Sequence, residues 1–259
     1  MNMTTRTDRN PHSFTVFTPI PKVKLNSQLD TALPKRSCGA TVSGNYLLAN
    51  VFTEEKDDIG FINNLATEFK TSDPDGSTVQ NLINGIRNFL AAKGFSKPDT
   101  HYTGIKKEPL QTLAKTAKFT IPTLDKIKEA LKEHRMVILN LGWYTPKGNG
   151  DYERQGGHYV NALGIAEDTK KQSYLIFADP HDAKIHVRPT ETLNAGSLVM
   201  KEGNHGDEPV NPEIKATGFT KLQNEFYWKP QNYRAIIDSM IDFNIPKALE
   251  SKRKFDLTA

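Results

Sequence analysis

Three apolar runs in the second half of the chain do most to limit its fold: MVILNLGW (136–143), HYVNALGIA (158–166) and SYLIFADP (173–180). Each is rich in β-branched and aromatic residues and bounded by turn-forming polar residues, the signature of a strand. IHV (185–187) offers a fourth. Short connections between consecutive strands favour antiparallel pairing. Ahead of these runs the apolar spacing is helical, so the expected class is α+β, a helical N-terminal half packed on an antiparallel sheet.

The clearest helix carries Val79, Leu82, Ile83, Ile86, Phe89 and Leu90 at the three/four spacing of one buried stripe. Ser77 and Gln80 fit a capping box before it, and Gly94 fits its stop. Other helices are expected from Cys38, around Phe61, Ile62 and Leu65, from Pro109 (Leu110, Leu113, Ala114, Ala117), and from Thr123 (Leu124, Ile127, Ala130, Leu131). Ser13 to Leu25 suggests an edge strand broken by Pro19 and Pro21. Residues 201–218 read as a long irregular loop and Tyr233 to Phe243 as a final helix. The expected organisation is an N-terminal extension (1–25), one domain (26–245) and a basic tail (246–259) containing Lys252-Arg253-Lys254.

The net charge of +4 is spread along the chain and does not point to nucleic acid. No segment approaches the ~20 apolar residues of a membrane helix. The start, MNMTTRTDRNPHSF, lacks the apolar core of a signal peptide, so the expected location is intracellular, or reached by a signal-less export route. Oligomeric state cannot be read from the sequence.

Cys38 is the only cysteine, so any chemistry it has is that of a thiol or thiolate. At a helix start, unpaired backbone N–H groups lower a thiol pKa and can hold an oxyanion. Alone, a free cysteine is more often a small core residue. His158 opens a strand after Gly156-Gly157 and shares a face with Val160, Ala162 and Gly164, small side chains that leave room for a helix and a ligand. Asp179, between an apolar strand and Pro180, could accept the second imidazole N–H. Gly39 and Gly157 suit close substrate approach, Trp143 suits a cleft wall, and the 145–157 connection suits a mobile rim. His181, Asp182 and His186, in a turn, read as solvent-facing rather than as metal ligands, and no metal or cofactor is expected. GWYTPKGNG lacks phosphate-loop spacing.

The ordered set Ser37-Cys38-Gly39-Ala40, Gly157-His158-Tyr159-Val160 and Ala178-Asp179-Pro180 resembles the papain-like cysteine peptidases. It is most similar to the bacterial branch that includes bacteriocin-processing, double-glycine leader peptidases, over roughly residues 28–190. The DGSTVQNLINGIRNFLAAKGF stretch resembles that branch's second helix. The resemblance implies a papain-like fold and Cys38 as nucleophile, His158 as general base and acid, and Asp179 as orienting carboxylate. A protein or peptide would be the substrate, cleaved at a peptide or isopeptide bond through a thioester. One departure stands out: where the family's oxyanion glutamine is expected, about six residues before the cysteine, stands Ala32, and Gln28, ten residues before it, could serve as that donor only if the intervening loop bulges. The alternatives are an amidase, deamidase or acyltransferase acting on a protein side chain, as in bacterial effectors, or a catalytically silent papain-like binding module.

Overall fold

The three apolar runs become consecutive strands of a sheet that curls until it meets itself. The computed structural model describes residues 14–73, 76–105, 120–200, 212–223, 226, 229–230 and 232–245. Its elements are β1 (Phe14–Val16), a 3-10 turn (Gln28–Asp30), α1 (Cys38–Asn50), α2 (Asp58–Glu68), α3 (Val79–Ala92), β2 (Asp99–Gly104) and α4 (Leu124–Lys132). There follow β3 (Met136–Pro146), β4 (Tyr152–Asp168), β5 (Ser173–Asp179), β6 (Lys184–Thr192), β7 (Ser197–Val199), β8 (Glu213–Lys215), β9 (Thr220–Leu222) and β10 (Arg234–Asn244). The architecture is α+β in the general sense, four described helices and a large mixed sheet.

Antiparallel pairings run β3–β4, β4–β5, β5–β6, β6–β9, β9–β10 and back from β10 to β3, a closed ring of six strands. The inner face is one apolar cluster that includes Leu139, Val160, Leu175, Phe177, Leu222 and Ile237, and α4 packs Ile127, Ala130 and Leu131 against it. The outer face of β3, β4 and β10 is covered by α1, α2 and α3 through Met136, Ile138, Tyr159, Ile241 and Phe243. β7 pairs in parallel with β4, so the expected all-antiparallel sheet acquires a parallel member.

α1 is buried at ten of its thirteen residues, as expected of a helix with no strongly polar face. α3 buries the stripe read from its spacing, at about 1.5–3 kcal/mol for each large side chain. Its cap is Thr78, accepting from Asn81 N–H, one residue later than the expected Ser77, whose hydroxyl pairs with Thr71. Gly94 follows α3 at φ +83, where a side chain would be strained.

Several expectations are corrected. Tyr233 to Phe243 is not a helix: Arg234–Asn244 is strand β10. Glu213–Lys215, expected within a loop, is β8, and β2 places a strand inside the helical half. The 145–157 connection is a hairpin, since β3 runs to Pro146 and β4 begins at Tyr152. Within the extension, Phe14–Val16 is a strand as expected, paired to the far end of β4. The expected Pro109 helix and the basic tail lie outside the described residues. Among the described residues, no helix is long and apolar enough to cross a membrane.

Candidate active site

Cys38, His158 and Asp179 come from α1, β4 and β5 and meet at one end of the ring. On β4, His158 pairs across from Leu141, so it points to the inner face, whereas Tyr159 packs with the helices outside. A β-bulge at Leu163 then breaks the expected alternation, and Ile165 rather than Gly164 continues the inner face. α1 therefore lies on the Tyr159 side, not on the His158 face as the strand pattern suggested.

The thiol reaches the imidazole through a fork in the sheet. On the edge of β4 away from β3, β7 takes residues 152–153 and β5 takes residues 161–167. The last β4–β5 pair is Asn161–Ala178, after which β5 ends at Asp179. The N-terminus of α1 enters there, and Cys38 gains a backbone hydrogen bond with Tyr159 and a side-chain hydrogen bond with His158.

His158 Nε2 pairs with Asp179 Oδ1 at 2.7 Å, which leaves Nδ1 for the sulfur. Asp179 Oδ1 also accepts from the His181 backbone N–H at 2.8 Å. His158 and Asp179 are 5% and 1% exposed, while Cys38 is half-buried, so access is from the thiol side. Burial alone pushes the Cys38 thiol up, but the hydrogen bond and charge of His158, with backbone bonds to Tyr159 and Gly39, bring it below its ordinary value. Burial pulls His158 down, yet Asp179 and Cys38 together raise it from 6.5 to about 9. Asp179 is lowered: burial opposes ionisation, and His158, the His181 N–H and His186 outweigh it. These directions favour a thiolate–imidazolium pair.

At the start of α1, Ser37 does not cap the first turn. Its hydroxyl donates to Leu33 O and pairs with Thr31. The helix end beside the sulfur thus keeps its partial positive charge. The segment leading to it is held down at several points. Asn26 is clasped by Asn45 of α1, and the Gln28 N–H donates to Pro180 O at 2.8 Å. Gln28 is buried, and its Nε2 donates to Pro34 O at 2.8 Å. It therefore bridges the segment before Cys38 and the one after Asp179.

The glycines read differently in place. A Cβ on Gly39 would lie 3.1 Å from Leu82 and 3.4 Å from Tyr159, so this glycine serves close packing of α1. A Cβ on Gly157 would lie 2.5 Å from Asn140 Oδ1 and 2.6 Å from Arg154 Nη2, although its backbone is exposed beside His158. Trp143 stacks near-parallel on His158, with ring centroids 6.3 Å apart.

Asp182 and His186 are not solvent-facing as expected. Their side chains are 5% and 14% exposed, and His186 Nε2 contacts both Asp182 oxygens at 3.1 Å. His186 lies in β6, stacked on Phe177. Asp179, Asp182 and His186 place one donor atom each within 4.8 Å of one another and are the group that could hold a metal ion among the described residues. With Asp179 already bonded to His158 and Asp182 to His186, the group extends the charge network behind the imidazole.

Sequence reasoning missed two features. Lys229 places its ammonium 5.1 Å over the Trp143 ring and feels the charge of Cys38; its aromatic-rich surroundings, FYWKP, were the available signal. Arg154 and Asp238 form a buried ion pair at 2.7 Å beneath the Gly156-Gly157 approach, and nothing local in the sequence announces it. No protein-family model matches the chain, and no curated protein matches it.

Proposed function

We propose that the protein is a papain-like cysteine peptidase that cleaves a peptide or isopeptide bond through a thioester on Cys38. The observation that carries this reading is the continuous hydrogen-bonded chain Cys38–His158–Asp179, assembled from residues 120 and 21 positions apart. The nucleophile helix on the flank of a closed antiparallel ring supports the same reading.

In this mechanism the Cys38 thiolate attacks the substrate carbonyl carbon and its oxygen becomes an oxyanion. The α1 N-terminus faces that charge, and Gln28 is the candidate side-chain donor, once its amide turns from Pro34 O toward the site. His158 gives its Nδ1 proton to the leaving amine, the C–N bond breaks, and an acyl-thioester remains. Water then attacks the thioester, His158 accepts its proton, and the acid product leaves with the thiolate restored. Asp179 holds the ring in the tautomer and orientation both steps need.

Iodoacetamide alkylation tests the core of this. Cys38 should be alkylated rapidly at pH 6.5, and His158→Ala should slow the reaction. A folded protein whose thiol stays inert until above pH 8.5 would end the enzyme reading.

A further inference from the structure

Beside the triad lies a cleft of about 540 Å³, within the size range of ligand sites. Trp143 forms one wall, and the same ring stacks on His158. Lys229 lines the cleft half-buried, sits over Trp143, and interacts with the charge of Cys38. Trp143 is thus shared between the cleft and the imidazole that faces Cys38.

Cations outnumber acids among its described lining residues. Lys221, Lys229 and Arg234 line it against one acid, Glu191, which pairs with Lys221 at 2.9 Å. The described lining thus carries a net charge of two positives around an aromatic floor.

We infer that this cleft is a substrate subsite for a carboxylate, presented by a peptide close to the bond that Cys38 attacks. The inference rests on the peptidase reading and names its substrate class: an acidic segment whose carboxylate meets Lys229 and Arg234 while neighbouring apolar atoms cover Trp143. A carboxylate in a partly desolvated cationic cleft gains more than at an open surface, and the field also speeds encounter. The carboxylate could belong to an acidic side chain or to a chain terminus.

The test uses the full chain and short peptides capped with an iodoacetyl group. One probe carries glutamate, its match carries glutamine, and a third carries glutamine with a free C-terminal carboxylate; the first two end in amides. Second-order rates of Cys38 alkylation are read by intact mass. At 20 mM salt, at least one carboxylate probe should react about tenfold faster than the neutral one. The advantage should shrink as salt rises to about 0.5 M. Lys229→Gln and Arg234→Gln should each reduce it.

Preference for the glutamate probe assigns the site to an acidic side chain, and preference for the third probe assigns it to a chain terminus. Rates within twofold for all three, with plain iodoacetamide still fast at pH 6.5, would overturn the subsite and leave the peptidase reading intact. A preference undiminished in both variants would assign it to His158 and overturn the subsite equally. Slow iodoacetamide would remove the peptidase reading and the subsite with it. The salt series on the unaltered protein needs no variant to fold.

Discussion

Asp179 offers His158 a single oxygen, Oδ1, at 2.7 Å, and shares that oxygen with the His181 backbone N–H at 2.8 Å. The carboxylate is thereby fixed by the turn that follows its own strand before it fixes the imidazole. Asp179→Asn preserves shape and removes the charge. Turnover of a peptide substrate should fall on the order of 10²–10⁴-fold. The pH profile of Cys38 alkylation should move up toward that of an ordinary thiol. An unmoved profile would reduce Asp179 to a turn residue.

The imidazole should also leave a mark on stability. His158 is raised from 6.5 to about 9 in the fold, chiefly against burial and by Asp179. A group raised in the folded state stabilises fully below its unfolded pKa, and that share is lost as pH climbs from 6.5 through about 9. Melting temperatures of the wild type and His158→Gln should therefore differ most below pH 6.5 and converge toward alkaline pH. A gap that widens between pH 7 and 9 would contradict the charged-imidazole picture.

Gln28→Ala separates oxyanion support from thiol activation. Removing one oxyanion donor costs ~10²–10³ in rate, so acylation of Cys38 by a peptide substrate should fall by that order. Iodoacetamide forms no oxyanion, and its rate should change little. Equal loss in both assays would mean that Gln28 only braces the loop through Pro34 and Pro180.

Beneath the site, Asp238→Ala should be costly without touching the chemistry. Asp238 and Arg154 are 0% and 3% exposed, and truncating one partner strands the other's charge at about 3–5 kcal/mol. Chemical denaturation should show a loss of that size. A loss under 1 kcal/mol would mean that Arg154 finds a replacement partner.

Much of this site could be read from the sequence because its members sit where local rules are strong. Cys38 opens α1, His158 follows two glycines into a strand, and Asp179 closes a strand before a proline. What escaped depends on tertiary context. In β10, Ile236, Ile237, Met240 and Ile241 repeat at spacings that mimic a helix. A bulge at Asp238 and burial on both faces erase the alternation that would have marked a strand. Residues 152–157 are polar and glycine-bearing, so their pairing with β3 is invisible without the partner. The placement of Gln28 rests on a backbone bond to Pro180, a contact spanning most of the described domain.

The fork where β5 departs from β4 has a temporal meaning. Cys38 acquires its partners only when α1, β4 and the end of β5 have all arrived, segments separated by 120 and 21 residues. Contacts of such long range complete late, because loop closure must precede them. An emerging or partly folded chain should thus carry an ordinary thiol. On the proposed reading, thiol activation at Cys38 should begin only when assembly ends.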